Sequence, residues 1–225
     1  MGKSKDLATG ETRFVNTAGD TMTGNLGIGI GSDSAQGALD VRGAIVTSNS
    51  TTSYWKLDRD DSTGSFTIND TGANNRMLID TSGRVTIPNQ PSFAAGVSHN
   101  NWTTSSATDA PFDTEIFDIG NNYNTSNYTF TAPVAGRYFA SIFLNRYTNS
   151  RFDIAFNVNG TNRHIAEIRI SFSSDNWKIE SFQTILNLAA NDAVKARITG
   201  VSSQGSAFFD GNGTSYDVFS MHLLG

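Results

Sequence analysis

Cysteine is absent from the 225 residues, which removes disulfides, thiolate metal sites and cysteine nucleophiles together. Proline occurs only four times, and charged residues make up only 16% of the chain. Basic residues are too few to build a cationic face: the net charge is −5. A partner read through its phosphate backbone is therefore not expected, and nucleic acid is excluded on this ground. No apolar run approaches the roughly 18 residues of a membrane-spanning helix, so no membrane insertion is expected. The opening Met1-Gly-Lys-Ser-Lys-Asp6 has no apolar stretch behind its lysines, which leads to the expectation of a chain without a signal peptide. Hydrophobic residues reach only 37%, and Gly, Ser, Thr and Asn fill the difference. That is the composition of a turn-rich, soluble, all-β protein rather than a helical bundle or a charge-driven disordered tail.

Large side chains are unevenly placed. Of the 15 phenylalanines, six tyrosines and three tryptophans, only Phe14, Tyr54, Trp55 and Phe66 precede residue 90. Aromatic rings are the main way a domain buries area, so residues 91–225 can enclose a core of their own. The first 90 residues hold twelve of the 21 glycines and little to bury, and a monomeric domain of that size is marginal. Pro88-Asn-Gln-Pro91 forms a stiff, non-helical junction between the two halves.

In the first half, short alternating runs stand at Leu26–Ile30, Ala38–Arg42, Phe66–Ile68, Met77–Ile79 and Val85–Ile87. Turn residues separate them at Gly31–Asp33, Asp61–Gly64, Asp70–Gly72 and Asp80–Gly83. This predicts short strands and tight turns. Each strand offers only two or three apolar groups on one face, too few for one chain to enclose. Chains wound about a common axis can enclose them, and the expectation is a homotrimeric β-rich shaft over residues 26–90.

The second half predicts longer strands at Gly136–Leu144, Arg151–Val158, His164–Phe172, Trp177–Leu188, Ala193–Ile198 and Tyr216–Leu224. A polar loop is expected over Asn145–Ser150. Asn159-Gly160 is the strongest short hairpin signal available. Regular strands with turns every eight to twelve residues mean a sandwich or barrel.

Phe130-Thr-Ala-Pro-Val-Ala-Gly-Arg-Tyr138 resembles the signature of the globular head shared by complement-type and tumour-necrosis-factor-type trimers. Leu186–Val194 is similar to that family's turn between its sixth and seventh strands, and Phe219–Gly225 to its last strand, which lies in the trimer interior. The likeness covers about 130 residues and implies a jelly-roll head over residues 91–225, with Tyr138, Ile142 and Leu144 inward. The family usually has an aromatic where Ala140 stands. Thr17-Ala-Gly-Asp-Thr-Met-Thr-Gly-Asn-Leu26 resembles a short element of bacteriophage tail fibres. Leu26–Gly29, Ala38–Gly43 and Ile79–Ile87 likewise resemble the shaft repeats of such fibres. The resemblance implies a virion protein made in the host cytoplasm. Residues 1–25 would attach it to other virion proteins.

Catalytic patterns are weak. His99, His164 and His222 are far apart and in no metal-ligand spacing, and His222 reads as a core or interface histidine. No G-x-S-x-G elbow occurs. Gly27-Ile-Gly-Ile-Gly31 lacks the helix that would aim N–H groups at phosphate. Asp58, Asp60 and Asp61 with Ser62 and Gly64 resemble a calcium loop, but the glycine is one place late and no glutamate closes it, so a solvated turn is the reading. Calcium is the one ion left open; no cofactor is expected. Asp113 and Glu115 could share a strand face as a glycosidase pair, but no catalysis is expected. The seven Asn-x-Ser/Thr triplets follow from composition.

Recognition remains, and loops are where it sits. Strand parity in a jelly roll, with the C-terminus beside the shaft as the resemblance implies, sends loops 145–150, 173–176 and 201–214 away from the shaft. It sends the turns at Asn159-Gly160 and Ala189–Asn191 toward it. The outward set offers Asn145, Arg146, Tyr147, Asp175, Asn176, Trp177, Gln204, Asp210 and Asn212. Amides, carboxylates and aromatics suit sugar hydroxyls and apolar sugar faces. The expected role is adhesion to a bacterial surface receptor, a glycan foremost. The alternatives are a capsid-surface decoration or head fibre, and a glycan-degrading tailspike enzyme.

Overall fold

A computed structural model describes residues 26–28, 39–41, 44–48, 54–72, 74–98, 102–147, 152–168, 177–201, 207–209 and 213–225. The described residues form strands and turns, with no helix among them that is long and apolar enough to cross a membrane. The chain divides into two compact units, Met1–Ile87 and Pro88–Gly225.

In the first unit, β1 (Leu26–Ile28) pairs in parallel with β2 (Leu39–Val41). An antiparallel meander follows: β3 (Ile45–Ser48), β4 (Tyr54–Arg59), β5 (Phe66–Asp70), β6 (Asn75–Ile79) and β7 (Val85–Thr86). Strands β3 and β4 were not expected; the Lys56-Leu-Asp-Arg59 stretch of β4 carries too much charge to stand out as alternating. One device makes the three hairpins, with aspartates at ten-residue spacing. Asp60 Oδ1 accepts the N–H groups of Ser62 (2.9 Å) and Thr63 (3.2 Å). Asp70 Oδ1 accepts those of Gly72 (3.1 Å) and Asn74 (3.2 Å). Asp80 Oδ1 accepts those of Ser82 (2.8 Å) and Arg84 (2.9 Å). Each carboxylate thereby replaces backbone acceptors that the tight turn cannot supply. The left-handed φ of Gly64 (73°) and Gly83 (79°) completes two of these turns.

The second unit is a two-layer sandwich. Its strands are β8 (Ser92–Val97), β9 (Trp102–Thr104), β10 (Thr108–Asp109), β11 (Thr114–Ile119), β12 (Tyr123–Asn124), β13 (Thr129–Thr131) and β14 (Gly136–Tyr147). After these come β15 (Phe152–Val158), β16 (Thr161–Ile168), β17 (Trp177–Leu188), β18 (Ala193–Val201), β19 (Ala207–Phe209) and β20 (Gly213–Leu223). One layer runs β11-β8-β20-β14, with β17 on the far side of β14 and β19-β9 extending it. The other runs β12-β13-β18-β15-β16, with β10 on β18. This is the all-β, jelly-roll-like head that the resemblance implied.

Alternation decides which side of each strand faces the other layer. Tyr138, Ala140, Ile142 and Leu144 of β14 are buried, as are Leu186 and Leu188 of β17 and Phe219 and Met221 of β20. From the other layer come Phe152, Ile154, Phe156, Val194, Ala196 and Ile198. The rings interlock: Phe93 stacks on Tyr123 at 4.3 Å and on Phe130 at 5.0 Å, and meets Phe219 edge-on at 4.9 Å. Tyr138 turns inward as expected and donates its hydroxyl to the Val134 carbonyl (2.9 Å). Ala140, where an aromatic was anticipated, is fully buried opposite buried Met221.

The sheet corrects one loop. Residues 145–147, expected in a polar loop, complete β14, because all twelve residues of that strand pair with β17. The Asn159-Gly160 turn is as expected, with φ of 50° and 83°, the primed hairpin geometry.

Candidate functional site

The outer side of the β11-β8-β20-β14-β17 layer faces away from the core. Register places its side chains in three cross-strand rows. The first is Ile119, Ser92, His222, Phe139 and Ile185; the second is Phe117, Ala94, Ser220, Ser141 and Gln183; the third is Thr114, Gly96, Val218, Phe143 and Ser181. None of these fifteen carries a fixed charge. Small residues fill β8, and large apolar ones stand on β11, β14 and β17, leaving Phe117, Ile119, Phe143, Ile179 and Ile185 exposed. Five strands span about 19 Å across this face. His222 sits within it, 6.2 Å from the Phe117 ring, and burial pulls its imidazole below the ordinary value of 6.5.

The meander of the first unit likewise has a face that the described residues leave uncovered. The row Ile45, Leu57, Ile68 and Met77 adjoins the row Arg59, Phe66, Ile79 and Val85. Ile45 is 46% exposed, Trp55 51%, Phe66 42% and Val85 54%. On the opposite face, the short polar side chains Thr67 and Asn69 are the buried ones. Large apolar side chains thus stand exposed on the sheet while its buried residues are polar, the reverse of a self-sufficient domain.

Of the nine receptor-contact candidates, Asn145 alone has a described side chain. It is buried, 7% exposed, and its main-chain N–H donates to Asp217 Oδ1 (2.6 Å). The backbone of Arg146 pairs with Lys178 and Phe209, and that of Tyr147 with Trp177 and Phe208. Tyr147 and Trp177 are therefore brought opposite one another at one end of the sandwich. Asp175, Asn176, Gln204, Asp210 and Asn212 lie outside the described residues, as does the fibre-like segment Thr17–Asn25. The span 201–214, expected as one loop, contains β19.

That end is pinned by a group not anticipated. Asp217 is fully buried and accepts the Trp102 indole N–H (3.0 Å) as well as the Asn145 amide. Trp102 in turn stacks on Phe209 at 4.1 Å. The signal was available: Asp217 shares the inward parity of Phe219 and Met221. At the other end, Asn159 Nδ2 donates to Asp192 (2.7 Å), joining the two turns that strand parity grouped. The backbone N–H of Ala189 and then Asn159 hold the Asp192 carboxyl below the usual range. The chain enters and leaves here too: Leu223 N–H donates to the Pro91 carbonyl (3.0 Å) and Arg137 N–H to that of Gly225 (2.9 Å).

The carboxylates weighed for chemistry are engaged locally. Asp113 accepts both the N–H (2.7 Å) and the hydroxyl (2.6 Å) of Ser98, while Glu115 is exposed. Asp58 pairs with Lys56, Asp61 with Arg59 at 3.2 Å, and Asp60 with the Ser62 hydroxyl at 2.6 Å. That hydroxyl and the turn N–H groups hold Asp60 below the usual carboxylate range. Among the described residues, no group of three or more histidines and acids could hold a metal ion.

No curated protein matches the chain. Among solved structures it is similar to the globular domain of zebrafish complement 1qA protein, at 14% identity and a TM-score of 0.47, covering 60% of this chain and 98% of that one. It is also similar to Eiger TNF from S. frugiperda, at 12% identity and 0.43, covering 60% and 91%. Murine APRIL gives 8% identity and 0.46, covering 60% and 99%. No enzymatic family is indicated, and domains of this class are generally binding modules that typically form homotrimers. The family model of the C1q domain matches residues 92–224, more than half of the sequence, and the chain belongs to the C1q domain family.

Proposed function

We propose that the chain is a non-catalytic, homotrimeric tail fibre of a bacterial virus that adheres to a surface glycan of its host. Residues 1–25 attach it to other virion proteins, residues 26–90 form an intertwined β-rich shaft, and residues 91–225 form the binding head. It works on the virion, after synthesis in the host cytoplasm, and uses no cofactor. The observation that carries the reading is the apolar face of the β3–β7 meander, which the described residues leave uncovered. A second uncovered surface, the neutral rows of the head, supports the same assembly. Asn145–Tyr147, Asp175–Trp177, Gln204, Asp210 and Asn212 mark the proposed receptor-facing end. Three weak sites on one rod gain avidity without strong single contacts.

Light scattering on the full chain tests the assembly; a mass three times that of one chain is expected, and a monomer overturns the reading. Ile185→Asp, at a position 54% exposed in the single chain, leaves the fold intact by circular dichroism. It dissociates the trimer, because a charge desolvated in an apolar interface costs several kcal/mol. Adhesion of the full chain to host cells, abolished together by Tyr147→Ala and Trp177→Ala, tests the address.

A further inference from the structure

A polar cleft of 620 Å³ opens on the C1q-type head, walled by Asn121–Thr125, by Thr131 and Pro133, and by Asn191. These residues come from three places: the β11–β13 connection with β12, the end of β13 with the segment after it, and the turn between β17 and β18. Along the antiparallel β14–β17 pair, that turn lies next to Gly136 and Leu188, whereas Tyr147 and Trp177 pair at the far end. Eleven residue steps of strand put about 36 Å between the two ends.

The walls are fixed by bonds that do not use the cleft. Tyr123 N–H donates to Asp118 Oδ2 (2.7 Å), and its hydroxyl to the Phe112 carbonyl (2.7 Å). Asn122 Nδ2 donates to the Ile119 carbonyl (3.1 Å). Thr131 N–H donates to the Asn122 carbonyl (2.8 Å), and Asn191 N–H to that of Ala132 (2.7 Å). After these bonds, the carboxamides of Asn121 and Asn191 have no hydrogen-bond partner among the described residues, and Asn124 uses only its Oδ1, which accepts from Ser126 N–H (2.9 Å). Left-handed backbone accounts for asparagine at 121 (φ 54°) and 191 (φ 70°). It does not account for Asn122 or Asn124, whose φ is not in that region.

We propose that this cleft is a subsite for a neutral, hydroxyl-rich saccharide, distinct from the receptor end proposed above. A carboxamide both donates and accepts, which matches adjacent sugar hydroxyls that do the same. No charged side chain lines the cleft, so nothing in it compensates the charge of a sulfated or uronic sugar. Exposed Pro133 supplies an apolar wall. The volume falls in the range of about 300–1,000 Å³ of small-molecule sites, and rigid walls spare the ordering entropy that a mobile loop would lose. The site stands whether or not the chain is a viral fibre.

The test uses the full chain on an array of neutral hexose and N-acetylhexosamine oligosaccharides with their sulfated and uronic counterparts. Neutral oligosaccharides are retained in preference to charged ones. The double variant Asn121→Gly, Asn191→Gly removes both free carboxamides and keeps a residue at ease with positive φ, so its melting temperature is unchanged. Its retention of neutral sugar falls at least tenfold, as expected for losing two hydrogen bonds. Trp177→Ala leaves this retention unaltered, even where it abolishes adhesion to cells. Equal retention by the glycine variant, preference for charged glycans, or no retention of neutral glycans overturns the proposal.

Discussion

Asp217→Asn is a change of one atom type in a fully buried side chain, and its cost follows from donor counting. Both carboxylate oxygens accept N–H donors: Oδ2 from Trp102 at 3.0 Å and Oδ1 from the Asn145 main chain at 2.6 Å. A carboxamide has one oxygen and one NH2. However it rotates, its NH2 confronts an N–H that has no water to turn to. An unsatisfied buried donor costs about 1–3 kcal/mol, and replacing the surviving charge-assisted bond by a neutral one costs about 1 more. The sum is about 2–4 kcal/mol. At about 3–5 °C per kcal/mol for a domain of this size, thermal unfolding followed by circular dichroism falls by about 6–20 °C. Trp102→Phe removes the same donor from the other side, so the two changes are less than additive, with a coupling on the order of 1 kcal/mol. A melting temperature within 2 °C of the parent, or strict additivity, refutes the claim that Asp217 pins this end of the sandwich.

His222 makes the head sensitive to acid. Burial favours its neutral form, so stability is intact above the ordinary imidazole value of 6.5 and is lost as pH falls below it, where the unfolded chain takes up the proton first. Melting temperatures measured from pH 7.5 to 5 therefore drop more steeply for the parent than for His222→Gln; equal slopes count against this. Gly136→Ala places a methyl 2.8 Å from Leu223 Cδ1 and 3.4 Å from the Gly225 carbonyl oxygen. The crowding costs about 1–3 kcal/mol, and Leu223→Ala in the same chain recovers part of it; no recovery in chemical denaturation shows that the strain lies elsewhere.

The head was readable because its strands obey a single rule along their length. Trp177–Leu188 holds Ile, Phe, Thr and Trp and neither Gly nor Pro, and the strand has those bounds; Tyr138, Ile142 and Leu144 share a parity and share the core. Errors arose where polarity stood in for position. Residues 145–147 look like a loop because they are polar, yet a twelve-residue partner strand carries the ladder through them. Lys56 and Asp58 hid β4 because their face is polar and paired by ions rather than apolar. The amide cleft was invisible for another reason. Asn121 and Asn191 are 70 positions apart and meet only when the β17–β18 turn folds beside the segment after β13, a tertiary event that no local pattern encodes. Alternation did mark Asp217, but a lone carboxylate on an apolar parity has no sequence signature for its partner Trp102, 115 residues away.

The two units solve burial differently, and in the proposed trimer this sets the order of assembly. The head closes a two-layer core within one chain, so in that proposal it folds first and presents its neutral rows to siblings. The meander is one layer, and a single sheet with an open apolar face does not persist without a second. Its rows are narrow, so association of free segments at micromolar concentration is weak. Once three heads join, the tethered segments meet at an effective concentration of about millimolar, and the same narrow faces suffice. Hydrogen exchange reads this directly: the amides of β4 to β6 are protected in the full-length trimer and exchange rapidly in Ile185→Asp, whose heads stay folded but separate. Equal protection in both proteins means that the meander shields itself, and the assembly argument for the first unit fails while that for the head stands.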